Sequence, residues 1–277
     1  MGVAAYFDAG KGAREVLYGA REGLYQFDQR VALTTKTADG VSLVLGAINK
    51  GDKADLSLKS SYTYKNYGIS ALFRTSTDKV DVTANIDNVA PGLKAAIHAT
   101  LPDAQSGKLL LDYSSARAHV RTTLGLNTQP KASIAATTAQ GNLIYGVEGT
   151  FDTGKSEVTG YGVMAGWTAP DSQLVLQLTD KLETAKLYAS HNYTKDKAVA
   201  AEVSRPVKGG DVTFSLGVLQ RLENGALFKA KVNHLGVASL LYEQRLASGE
   251  RLALSTQVDT INVGGKAPKV GVALDLA

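Results

Sequence analysis

From Leu24 to the C-terminus, apolar and polar residues alternate with a period of two. Between Asp211 and Gln220, Val212, Phe214, Leu216 and Val218 take one phase, and Asp211, Thr213, Ser215 and Gly217 take the other. Phe228, Ala230 and Val232 alternate in the same way with Lys229 and Lys231, and Leu252 and Leu254 with Arg251, Ala253 and Ser255. Val270, Val272, Leu274 and Leu276 alternate with Lys269, Gly271, Ala273 and Asp275. Each segment reads as a β-strand with one apolar and one polar face. Turn residues punctuate the strands: Asp39-Gly40, Asn49 to Asp52, Pro91-Gly92, Pro102 to Gly107, Gln129-Pro130, Gly141-Asn142, Asp152-Thr153-Gly154, Pro170-Asp171, Lys208 to Asp211, Asn224-Gly225, Ser248-Gly249 and Gly264-Gly265. Weaker turn signals lie near Lys65-Asn66, Thr77-Asp78, Ser115, Leu182, Asp196 and Gly236. Together they predict roughly eighteen turns and about nineteen strands, at roughly thirteen residues per strand and turn. A strand of about ten residues, tilted about 45°, spans roughly 23 Å, close to the apolar band of a membrane barrel.

The first twenty or so residues follow a different period. Tyr6, Ala9, Ala13, Val16, Leu17 and Ala20 recur at intervals of three and four, with Asp8, Lys11 and Glu15 between them. That spacing predicts an amphipathic helix. Gly10 and Gly12 weaken it by roughly 1 kcal/mol each relative to alanine, so it needs a surface to dock on. A surface helix packed on a soluble domain satisfies the same pattern.

Composition narrows the choice. The 277 residues include no cysteine, which excludes a disulfide-stapled fold, thiolate metal sites and cysteine nucleophiles. Mean hydropathy is −0.07, and no window has the eighteen or so apolar residues that a membrane helix needs. The longest uncharged stretch, Ala132 to Val147, is broken by Ser133, Thr137, Thr138, Gln140 and Asn142. Asp8 and Lys11 interrupt the place of a signal-peptide core, and Tyr6 stands where a myristoylation motif requires Ser or Thr. A secreted or bacterial outer-membrane origin is therefore not expected.

No linker or shift of composition divides the strands, so a single closed sheet is expected rather than two sandwiches. The polar phase of Ser, Thr, Gly, Asn, Lys, Arg and Asp suits a water-filled interior, as in barrels of about sixteen or more strands. The apolar phase suits lipid. Tyr62, Tyr64, Tyr67, Tyr113, Tyr145, Tyr161, Tyr188, Tyr193 and Tyr242 are expected mostly near strand ends, at the membrane interfaces. A soluble β-rich binding protein is the competing reading.

Few residues point to chemistry. Gly149 to Ser156 matches the phosphate-loop pattern, but Val158-Thr159-Gly160-Tyr161-Gly162-Val163 follows it instead of a helix, so a hairpin turn is expected there. His98, His119, His191 and His234 lack metal-ligand spacing, and neither a nucleophile elbow nor a paired-carboxylate motif is present. No enzyme, cofactor, metal or specific nucleic-acid site is expected. The basic residues carry more information. Lys59, Lys94, Arg121, Lys229, Lys231, Arg251 and Lys269 fall on the polar phase, and Lys11 and Arg14 join them if the helix lies inside. Such a lining raises the local anion concentration, and the net charge of +4 predicts a mild anion preference.

Several segments resemble the voltage-dependent anion channels, or mitochondrial porins. Leu227-Phe228-Lys229-Ala230-Lys231-Val232-Asn233 followed by Leu240-Leu241-Tyr242 is similar to the eukaryotic porin signature, and Gly92-Leu93-Lys94 to that family's nucleotide-associated motif. Tyr6 to Val16 resembles its N-terminal helix, and Lys269 to Leu276 its closing strand. The resemblance implies an all-β transmembrane barrel of nineteen strands with the first and last parallel, residues 24–277. It implies that residues 1–23 form a helix against the inner wall and a hinge at Gly19 and Gly23. It further implies a voltage-gated pore for ATP, ADP and small anions in the mitochondrial outer membrane, in contact with the lipid bilayer. Cytosolic kinases are implied as partners, and assembly of barrels into homo-oligomers is left open. The basic residues named above for the polar phase and the helix would then line the pore and meet nucleotides. Two departures stand out. Phe73 replaces a lipid-facing glutamate of animal members, and Arg21 and Glu22 interrupt the glycine-rich hinge. The related protein-import barrel is the alternative of the same fold.

Overall fold

The computed structural model describes residues 3–19, 23–51, 53–262, 265 and 267–276. A single 3-10 turn at Tyr6–Asp8 precedes one helix, α1 (Lys11–Leu17). Nineteen strands follow. They are β1 (Gln29–Lys36), β2 (Ser42–Lys50), β3 (Lys53–Tyr64), β4 (Tyr67–Arg74), β5 (Lys79–Ala90), β6 (Leu93–Leu101) and β7 (Asp103–Ser114). Next come β8 (Ala118–Gly125), β9 (Lys131–Gln140), β10 (Leu143–Asp152), β11 (Glu157–Thr168), β12 (Ser172–Thr179) and β13 (Thr184–Thr194). The last are β14 (Lys197–Pro206), β15 (Thr213–Arg221), β16 (Leu227–Asn233), β17 (Val237–Arg245), β18 (Arg251–Asp259) and β19 (Lys269–Leu276). Hydrogen bonds join them into one sheet in which β1 pairs with both β2 and β19, so the sheet closes as a β-barrel. Among the described residues no helix is long and apolar enough to cross a membrane.

The chain forms two compact units. The first comprises Met1–Asp8, Leu33–Ala47 and Asp55–Met164. Its strands β3 to β10 pair antiparallel, each with the next. Residues directly opposite share a face. Lys94, Asp112, Arg121, Ala135 and Glu148 therefore line one face across β6 to β10. Leu58, Phe73, Val80 and Leu101 line the other across β3 to β6. Phe73 is exposed there, where a carboxylate would be costly in hydrocarbon.

The second unit comprises Ala9–Ala32, Ile48–Ala54 and Ala165–Ala277, and its strands β12 to β19 pair in the same antiparallel way. Gln173, Ser190, Ala200, Gly217, Lys231, Ser239, Gln257 and Lys269 make one cross-strand row. The neighbouring row on the opposite face reads Leu174, Ala189, Ala201, Leu216, Val232, Ala238 and Val258, with no polar member. Leu174, Leu216 and Leu240 are exposed on that face. So wide an apolar surface is incompatible with water and suits lipid.

The structure departs from the sequence-based expectations at two places, the helix and Pro102 to Gly107. The N-terminal helix is seven residues long, because Gly10 adopts the left-handed conformation (φ 70°) and separates the 3-10 turn from α1. Arg21 and Glu22 of the expected hinge lie outside the described residues. Pro102 to Gly107 is not a broad turn. β7 already begins at Asp103, and the Ser106 hydroxyl accepts the Thr100 amide (2.7 Å) across a register shift. Tyr62, Tyr64, Tyr67, Tyr113, Tyr145 and Tyr193 lie near strand ends as expected, whereas Tyr161, Tyr188 and Tyr242 sit within strands and Tyr188 is buried on the face that carries α1. The phosphate-loop pattern is a hairpin. β10 ends at Asp152, whose Oδ1 accepts the amides of Gly154 (3.0 Å) and Lys155 (3.2 Å), and β11 begins at Glu157.

Near the closing seam of the second unit, Arg251 Nη1 donates to Asp275 Oδ2 (2.6 Å) and Arg251 Nε lies 2.9 Å from Glu243 Oε1. Arg30 of β1 lies 3.8 Å from the other oxygen of Asp275. Arg251→Met should therefore lower unfolding stability in detergent by about 2 kcal/mol, since it strands buried Glu243 and half-buried Asp275. Arg74→Met, whose 3.8 Å pair with Asp81 is exposed, should cost less than about 1 kcal/mol in the same denaturant titration.

Candidate functional site

The N-terminal segment lies on the polar face, and each part of it has its own seat. In the first unit the Thr137 hydroxyl donates to the Ala4 carbonyl (2.6 Å) and Tyr6 is buried against β9 and β10. Gly146 makes room for that ring, because a Cβ there would come within 2.9 Å of it. Burial, with Glu148 beside it, raises the pKa of the Tyr6 hydroxyl. Arg121 sits 5.8 Å from the centre of the Phe7 ring and is held by Asp112, to which His119 Nε2 also bonds (2.7 Å).

In the second unit α1 packs on β13 to β16 and buries Ala13, Val16 and Leu17. Small residues let it approach closely. A Cβ on Gly10 would strike the Tyr188 ring at 2.6 Å, and one on Gly217 would strike Leu17 at 2.7 Å. Arg14 lies 5.7 Å from the centre of the Tyr188 ring. After the helix, the Tyr18 hydroxyl donates to Glu202 Oε2 (2.6 Å). The Lys231 ammonium is 4.6 Å from both the Tyr18 and the Tyr25 ring centres, within cation–π range. The Ser255 hydroxyl and the Val272 amide fasten the chain at Gln26 and Asp28 through their carbonyls.

The basic residues fall into four groups. Lys229 is fully buried, and its Nζ donates to the carbonyls of Glu15 (2.7 Å) and Gly23 (3.0 Å). It shares the polar face as expected but meets no water there, so it does not line a passage. A second group is matched by carboxylates: Lys94 by Asp87 (3.3 Å), Arg121 by Asp112, and Arg251 by Glu243 and Asp275. Lys231 belongs with the aromatic seat, while Lys11 and Arg14 are half-buried on α1. Exposed Lys59 on β3 and Lys269 at the start of β19 make no ion pair among the described residues. Exposed Lys108 and half-buried Lys186 likewise make none. They were missed because Leu109-Leu110-Leu111 and Leu187-Tyr188 hide the alternation around them. Gly19 (φ 79°) and Gly23 (φ 56°) flank the segment that Lys229 bridges. Among the described residues no group of three His, Asp or Glu could hold a metal ion.

The seat predicts two responses. Gly217→Val should expel Leu17 and speed proteolysis of residues 9–24 about tenfold, while the barrel stays folded. Burial first, and the bond to Glu202 second, push the Tyr18 pKa from 10.0 to about 12. A raised tyrosine pKa favours the seated state below the ordinary value, and that preference is lost as pH climbs through the folded value. The segment should therefore stay docked below about pH 10 and loosen towards pH 12, and Tyr18→Phe should weaken that response in a proteolysis-against-pH series.

Residues 2–271 match the profile of the eukaryotic porin family. The chain is 28% identical over 277 residues to mitochondrial outer membrane protein porin 5 of Oryza sativa subsp. japonica, covering 99% of this chain and 98% of that one. It is 30% identical over 280 residues to mitochondrial outer membrane protein porin 1 of Arabidopsis thaliana, with 99% and 98% covered. It is 29% identical over 279 residues to the outer plastidial membrane protein porin of Zea mays, with 100% and 99% covered. A closed nineteen-stranded sheet, split into an apolar and a polar face and matched to that profile over almost its whole length, makes this chain a member of the eukaryotic porin family.

Proposed function

We propose that the protein is a passive, weakly anion-selective and voltage-gated pore, which passes ATP, ADP, other metabolites and small ions across the mitochondrial outer membrane. As a eukaryotic porin it is an outer-membrane channel and not an enzyme. The mitochondrion is favoured by the rice and Arabidopsis relatives, which are named as mitochondrial outer-membrane porins. The N-terminal helix serves as the element against the inner wall, and association with further barrels and with cytosolic kinases belongs to the same reading.

The observation that carries the anion preference is the division of the cations. A lysine paired with a carboxylate adds little net field, whereas an unmatched one attracts anions. Lys59, Lys108 and Lys186 are unmatched and face the polar side, so they supply the excess positive potential. Lys94 and Arg121 mainly neutralise Asp87 and Asp112.

In planar bilayers the protein should give a large conductance that falls at high voltage of either sign, with an anion-side reversal potential in a salt gradient. Charge reversal at Lys59, Lys108 and Lys186 together should carry that potential to the cation side. Absence of conductance contradicts the pore, and an unchanged reversal potential removes these three side chains from the selectivity argument. Binding of presequence peptides without conductance favours the import-barrel alternative.

A further inference from the structure

We propose that Lys229 is the latch that holds the N-terminal segment in its seat and so sets the voltage at which the pore closes. Its ammonium is fully buried and donates to backbone carbonyls before Gly19 and at Gly23, Glu15 O at 2.7 Å and Gly23 O at 3.0 Å. Glu15 O belongs to the last turn of α1, where it also accepts the Gly19 amide (3.1 Å) and shares the partial negative charge of the helix C-terminus. One side chain of the barrel wall therefore ties the end of the helix to the chain beyond Gly19. A swing of α1 about Gly19 or Gly23 carries Glu15 away, so it must break that charge-assisted bond and uncover a buried cation. Lys231 also grips this segment, but through aromatic faces that tolerate sliding, whereas the Lys229 bonds are directional. Lys229 is thus a positioning residue that acts through α1.

The gating half of this inference rests on the proposed channel function, whereas the latch itself can be read without conductance. The full chain is refolded in detergent for hydrogen exchange and in planar bilayers for electrical recording. Lys229→Met keeps the length of the side chain and removes the charge. Exchange of the Tyr18 and Gly19 amides, which bond to Arg14 O and Glu15 O, should then quicken about ten- to hundredfold. The half-closing voltage should fall, and Lys229→Arg should restore both. If Lys229→Met does not refold, Lys229→Gln tests the same loss of charge with a neutral donor retained. Unchanged exchange, or faster exchange with an unchanged closing voltage, overturns the proposal. If the unaltered protein shows no voltage-dependent closure, the proposed gating fails instead, and the exchange rates still decide whether Lys229 latches the segment.

Discussion

The structure depends on one constraint: a sheet whose outer face meets hydrocarbon must pair every strand edge within itself. An unpaired amide or carbonyl costs several kcal/mol where no water can reach it, so an open sheet of this length would be untenable in lipid. Pairing of β1 with β19 removes the last edge. With an odd number of strands in an antiparallel meander, that final pair must run parallel, and the two strands meet beside the Arg251, Glu243, Asp275 and Arg30 cluster. Parallel pairing is slightly weaker per residue, so a charged cluster at the seam reinforces the join where help is most useful.

Closure also fixes what each residue can do. Once the apolar phase is committed to lipid, the polar phase must carry everything else: solvation, the seat for the N-terminal segment and the charged side chains. These demands compete for the same positions. At Gly217 the side chain is absent so that Leu17 fits, and at Lys229 a cation is given up to hold backbone carbonyls. At Arg121 and Lys94 the cations are matched by nearby carboxylates. The cations left over, Lys59, Lys108 and Lys186 among them, are fewer than the formal charge of the polar face suggests.

The strands were legible in the sequence because their period of two is a direct consequence of which face meets lipid, and because glycine- and asparagine-rich turns mark their ends. The side of Lys59, Lys94 and Lys231 followed from the same pattern, whereas the leucine runs beside Lys108 and Lys186 concealed theirs. Pro102 to Gly107 misled because turn-type residues there are taken up by a strand, with Ser106 supplying the bond that keeps the register. The N-terminal helix was overestimated because local spacing cannot reveal that Gly10 turns left-handed against Tyr188, a residue remote in the chain. Lys229 was placed on the correct face, but its burial depends on Glu15 and Gly23, over two hundred residues away, which no local pattern records. Phase is local information, and burial within the polar phase is not.

The central claim is that alternate residues of each strand face water and lipid. The absence of native cysteine gives a clean background for testing it. Single cysteines placed in turn at Val82, Thr83, Ala84, Asn85 and Ile86 of β5, in protein reconstituted into lipid vesicles, would be exposed to a charged, membrane-impermeant thiol reagent. The account predicts rapid labelling at 83 and 85 and protection at 82, 84 and 86. Uniform labelling along the strand, or labelling in the opposite phase, would contradict it.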